Sequence, residues 1–187
     1  MRLVIMGPPG AGKGTQAAVI AEAFTIPHIS TGAIFRANVG EGTELGQEAK
    51  GYMDRGEYVP DSVVNNMVQH RLAEPDTENG FLLDGYPRTV DQLHELNRML
   101  GDAGHPLERA LEITVNTEEV VQRLLKRAET EGRADDTEEV IRRRMEVYAT
   151  ETEPLTALYS DQGILVKVDG MGSIDEVSAR ILAALRG

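Results

Sequence analysis

The chain reads as an α/β protein built on a five-stranded parallel sheet with helices on both faces. Three observations predict this. Five short apolar runs, at residues 2–6, 27–30, 81–83, 110–115 and 164–168, alternate with helical patterns along 187 residues. The runs do not switch strictly between apolar and polar positions, so each expects cover on both sides. A loop rich in Gly and Pro, residues 7–14, lies directly between the first run and the first helical stretch. The length suits one core with small insertions.

Each element has its own local warrant. Residues 13–24 place Val19, Ile20 and Phe24 on one helical face. Helical patterns over 32–54 and 61–73 are broken at 40–42 and 56–60 by Gly and Pro. This excess of helix between the second and third strands marks an insertion. The Asn79-Gly80 turn introduces the third strand. A helix over 89–100 opens on Thr89, with Gln92 three residues on. Helices at 118–128 and 137–148 flank a polar link at 129–136, and Ser173 with Glu176 forms a capping-box pattern for a last helix over 173–185. Sheets of this kind bind ligands outside the carboxyl ends of their strands. Here those ends are Met6-Gly7, Ser30-Thr31, Leu83-Asp84, Val115 and Val168-Asp169.

Composition narrows the chemistry. The absence of Cys excludes a disulfide scaffold, a Cys-ligated zinc and a thiol nucleophile. A net charge of −12 repels nucleic acid. The first apolar run is far too short for a signal sequence or a membrane span, so a soluble cytoplasmic protein is expected. Of the 19 basic residues, 15 are Arg. Arg grips phosphate with a planar fork, although on composition alone codon bias or surface ion pairs explain such a count more readily.

The segment Gly7-Pro8-Pro9-Gly10-Ala11-Gly12-Lys13-Gly14-Thr15 carries the sharpest signal. It matches the phosphate-loop spacing at Gly7, Gly12 and Lys13, with Gly14 in the usual hydroxyl slot and Thr15 one residue later. Glycines let backbone N–H groups curl round an anion, the helix start adds its positive end, and Lys13 supplies a mobile charge.

This loop resembles the GxPGxGKGT signature of the adenylate kinase family of nucleoside monophosphate kinases. Ser30-Thr31-Gly32 with Arg36 resembles the family's STG…R element, and Asp84-Gly85-Tyr86-Pro87-Arg88 with Gln92 resembles its DG(Y/F)PR motif. Gly132-Arg133-Ala134-Asp135-Asp136 and Arg144 resemble its lid segment. The similarity runs from Met1 to about Leu185, in the family's order and spacing.

The resemblance implies a P-loop three-layer fold and a reversible, in-line transfer from Mg·ATP to AMP giving two ADP. It implies an acceptor-binding insertion at 30–59, a short lid at 128–136 without zinc, and a monomer. By family position, ATP would meet Gly10, Ala11, Gly12, Lys13, Gly14, Thr15, Arg123, Arg127, Gly170 and Met171. AMP would meet Thr31, Gly32, Arg36, Met53, Glu57, Tyr58, Val59, Gly85, Arg88, Gln92, Arg133 and Arg144. Lys13, Arg88, Arg123, Arg133 and Arg144 would carry the catalysis, and Asp84 would hold Mg²⁺ through water.

Bland rivals stand beside several of these roles. Asp84 suits a turn cap as well as a metal's water shell. Thr31 suits an N-cap as well as a preference for AMP. Gln92 suits the capping box opened by Thr89 as well as an adenine reader. Arg98, Arg142 and Arg143 read as surface ion pairs, and His28 and His105 receive no catalytic part. One departure is plain: Ala33 stands where the family commonly has Asp or Glu, and weaker organisation of Mg²⁺ is the expected consequence. A UMP/CMP kinase and a nucleotide-binding switch without transfer are the competing readings; Arg36 with Arg88 argues against the switch.

Overall fold

The structure, a computed structural model, describes residues 1–116, 119–125 and 137–187. Arg127, Arg133 and the expected lid at 128–136 lie outside the described residues. Five strands, β1 (Arg2–Met6), β2 (His28–Ser30), β3 (Phe81–Asp84), β4 (Arg109–Thr114) and β5 (Leu165–Asp169), form one sheet in the order β2-β3-β1-β4-β5. All four pairings are parallel. The chain leaves central β1 for one flank, β2 and β3, then crosses to the other flank for β4 and β5. The connections therefore diverge at the carboxyl end of β1, where a crevice opens.

Side chains alternate along the strands and define two cores. Val4, Met6, Ile29, Leu83 and Ala110 pack with α4 (Asp61–Leu72), α5 (Val90–Asp102) and α8 (Leu155–Asp161) through Val64, Val68, Leu93, Leu96, Leu155 and Tyr159. Leu3, Ile5, Leu82, Leu111, Ile113 and Val168 pack on the other face with α1 (Lys13–Phe24) and α9 (Ile174–Arg186) through Ala17, Ile20, Val177, Ile181 and Leu185. Both faces are covered, so the strands carry apolar residues at successive positions.

Between β2 and α4 stand α2 (Thr31–Glu41) and α3 (Glu44–Asp54), separated at Gly42. Residues 119–125 form helix α6. It joins α7 (Glu138–Val147) in a small cluster of Val120, Leu124 and Ile141. A five-residue π-helical turn, Tyr148–Thr152, then leads to α8. Sequence periodicity missed α8, whose seven residues are too few to establish a period.

Two local readings need correction. Ser30, not Thr31, caps α2: its hydroxyl accepts from the Ala33 N–H at 3.3 Å. The capping box at Thr89 is only half formed: Thr89 accepts from the Gln92 N–H, but the Gln92 side chain turns elsewhere. The Ser173–Glu176 box closes in both directions.

Candidate active site

The phosphate loop connects β1 to α1 at the centre of the sheet's carboxyl edge. Gly12, the N-cap of α1, has φ +87°, and an added Cβ there would meet nothing within 4 Å. Backbone conformation rather than lack of room requires glycine there. Lys13 Nζ donates to the carbonyl oxygens of Gly7 at 2.6 Å and Pro8 at 2.9 Å, which folds the ammonium back over the loop.

Asp84 ends β3 beside this loop; a methyl group on Gly14 would lie 4.0 Å from Asp84 Oδ2. His28 Nε2 lies 3.4 Å from the same oxygen. Burial disfavours the Asp84 carboxylate, but the His28 hydrogen bond and the charges of Lys13 and Arg88 outweigh it and hold its carboxyl below the ordinary range. The sequence reading gave His28 no catalytic part, and the structure makes it a direct partner of Asp84.

Gly85 follows with φ +83°. A Cβ here would approach Thr31 Oγ1 to 2.7 Å and Arg88 Nη2 to 2.8 Å, so only glycine admits both groups. Thr31 Oγ1 donates to the Gly85 carbonyl at 2.9 Å, and Arg88 Nε donates to the same oxygen at 2.8 Å. The Arg88 guanidinium also lies over the Tyr58 ring, 4.9 Å from its centroid. Thr152 Oγ1 donates to the Arg88 carbonyl at 2.8 Å and lies 2.7 Å from the Tyr58 hydroxyl. With its only hydrogen committed to Arg88, Thr152 accepts the phenolic one.

The other cations come from three more elements. Arg36, one turn into α2, lies over Gly32, whose added Cβ would be 3.1 Å from Nη1. Arg144 reaches in from α7 across Gly56, where a Cβ would be 3.2 Å from Arg144 Cγ. Arg123 on α6 pairs with Glu119 at 2.6 Å and leans on the Gly170 carbonyl at 3.4 Å.

These groups border one cleft of about 1120 Å³. Of the residues named from sequence, it is lined by Gly10, Ala11, Gly12, Lys13, Gly14 and Thr15 of the loop and by Thr31, Gly32, Arg36, Met53, Glu57, Tyr58 and Val59. Asp84, Gly85, Arg88, Gln92, Arg123, Arg144 and Gly170 complete that set. Met171 does not line the cleft, although Gly170 and Gly172 do. Sequence reasoning missed Gln16, His28, Glu119, Thr152 and Ile174, which also line it. Gln16 stands just past the phosphate loop and was within reach of that motif. Thr152 carries no local signal, because a π-helical turn alone swings it into place.

Three carboxylates line the cleft. Glu57 is paired with Arg55 at 2.9 Å and Glu119 with Arg123, which leaves Asp84 beside the phosphate loop. Among the described residues no group of three His, Cys, Asp or Glu is arranged to cage a metal. A lone carboxylate of this kind fits a hard divalent ion that keeps most of its waters. Among the same residues no helix is long and apolar enough to cross a membrane.

Comparison with known proteins agrees with this arrangement. The family model described as adenylate kinase matches residues 5–164. An adenylate kinase of Nocardioides sp. is 62% identical over 185 residues, covering 99% of this chain and 97% of the relative. One from Kocuria rhizophila is 57% identical over 184 residues, with 98% of each chain covered. One from Thermobifida fusca is 53% identical over 186 residues, covering all of this chain and 98% of the relative. With a glycine-rich loop and several arginines on one cleft, and likeness along its whole length, this chain belongs to the adenylate kinase family of phosphotransferase enzymes.

Proposed function

We propose that the chain catalyses reversible transfer of the terminal phosphoryl group of Mg·ATP to AMP, giving two ADP, by direct in-line displacement. One observation carries the reading: Lys13 with its glycine loop and the trio Arg36, Arg88 and Arg144 line a single cleft. A donor site alone would need no second set of cations beside that loop.

The division of labour follows from charge. A phosphate monoester oxygen is already an anionic nucleophile, so the protein needs no general base and contributes alignment and charge neutralisation. Backbone N–H groups of residues 10–15 and the Lys13 ammonium hold the donor phosphates. Arg36 and Arg88 hold the acceptor phosphate, Arg144 closes on the transferring group, and Arg123 meets the donor nucleotide near its base. Gly170, Thr31 and residues 57–59 border the nucleoside ends. Asp84 would hold the nucleotide's metal ion through water, and Mg²⁺, when bound, would supply charge neutralisation on the donor phosphates. By family position, Arg127 would also meet ATP and Arg133 would also meet AMP.

Product analysis with Mg·ATP and each nucleoside monophosphate tests the assignment. AMP should give ADP from both substrates. Arg88→Ala should lower kcat/KM for AMP about ten- to hundredfold, the worth of charge-assisted phosphate contacts, and leave Mg·ATP binding within about twofold. ATP binding without AMP-dependent ADP formation would overturn the proposal.

A further inference from the structure

We propose that Asp61 is a positioning residue that, together with the Arg88 backbone N–H, fixes the polarity of the Gln92 amide and so restricts which acceptor base the cleft accepts. This inference rests on the reading above, in which the base of the acceptor nucleotide meets Gln92.

Gln92 is only 1% exposed, yet borders the cleft. Its amide is engaged at both ends. The backbone N–H of Arg88 donates to Oε1 at 2.8 Å, and Nε2 donates to Asp61 Oδ1 at 2.7 Å. A backbone N–H can only donate and a carboxylate can only accept, so the two partners dictate which end is oxygen and which is nitrogen. Asp61 is itself held. Thr89 Oγ1 donates to Asp61 Oδ2 at 2.8 Å and accepts from the Gln92 N–H at 3.2 Å. Rotating the amide by half a turn would set N–H against N–H and oxygen against carboxylate. The site is buried, so water would not relieve either clash.

A primary amide has two N–H groups and two lone pairs on oxygen. One of each is committed, so one donor and one acceptor remain, in fixed order. That order complements an edge presenting an amino donor beside a ring-nitrogen acceptor, as adenine does. It opposes hypoxanthine, which has nearly the same shape but presents a carbonyl oxygen beside a ring N–H. Inosine monophosphate is therefore a probe that reverses polarity with little change in size.

The experiment measures kcat/KM for AMP and for inosine monophosphate, with Mg·ATP and the full chain, for the parent and for Asp61→Asn. The parent should prefer AMP by at least about tenfold, and Asp61→Asn should reduce that preference about threefold, because an amide at position 61 no longer penalises the reversed Gln92 while the Arg88 N–H still does. A merely structural role would lower both activities together and leave the ratio unchanged, which would overturn the inference. Asp61→Ala gives the same readout should the Asn variant fail to fold, and a parent that uses both acceptors equally overturns the inference without any variant. An AMP-active parent with an unchanged ratio in the variant refutes this inference alone. A parent without AMP-dependent ADP formation refutes it together with the proposed function.

Discussion

Replacing Tyr58 should weaken use of the acceptor nucleotide through Arg88, without any change at the donor loop. Tyr58 holds Arg88 in two ways: its ring lies 4.9 Å beneath the guanidinium, and its hydroxyl is bonded to Thr152, which donates to the Arg88 carbonyl. The hydroxyl link is a neutral hydrogen bond worth about 1 kcal/mol. The ring contact is half-buried and is worth roughly another 1 kcal/mol. Tyr58→Phe should therefore cost about 1 kcal/mol in transition-state binding, roughly a fivefold fall in kcat/KM for AMP. Tyr58→Leu removes both contacts and should cost about 2 kcal/mol, roughly thirtyfold. Steady-state kinetics with each substrate varied in turn would read this, and KM for Mg·ATP should move less than about twofold. The decisive arm is a double-mutant cycle with Arg88→Ala, in which the penalty of Tyr58→Leu should largely vanish. A Tyr58→Leu enzyme with AMP parameters within twofold of the parent, or a penalty that persists undiminished without Arg88, would refute the reasoning.

Two further expectations concern stability. Among the described residues the buried Tyr159 hydroxyl has no hydrogen-bond partner, so Tyr159→Phe should keep the ring's packing and raise stability by about 1 kcal/mol in urea titration; a loss of similar size would show that the hydroxyl is satisfied in solution. Glu176 accepts from the Ser173 N–H and hydroxyl, both at 2.8 Å, and the Ser173 backbone bond leads the causes that lower its pKa. Its contribution is therefore present above the unfolded carboxyl's pKa and is lost as pH falls through the depressed folded value. Glu176→Ala should lower Tm at neutral pH, and the gap from the parent should close as pH falls through the depressed folded value; a gap independent of pH would remove the capping explanation.

The sheet, the phosphate loop and the order of the motifs were all legible in the chain because each is a local event. Apolar runs of β1 to β5 follow from burial on both faces, and the loop's glycines meet backbone demands set within a few residues. Arg36, Arg88 and Arg144 could be named from motif register, but not their common cleft, since their elements meet only through long-range packing. The same holds for His28 on Asp84, Thr152 on Arg88 and Asp61 on Gln92, pairs separated by 56, 64 and 31 residues. A hydrogen bond depends on positions to within a few tenths of an ångström, and periodicity carries no information on that scale. The local pattern at Thr89 pointed Gln92 toward its own helix cap, whereas α4 brought a carboxylate close enough to take the side chain instead. Residue types and spacing thus determined which groups the chain offers at the cleft; tertiary packing alone decided what each of them leans on.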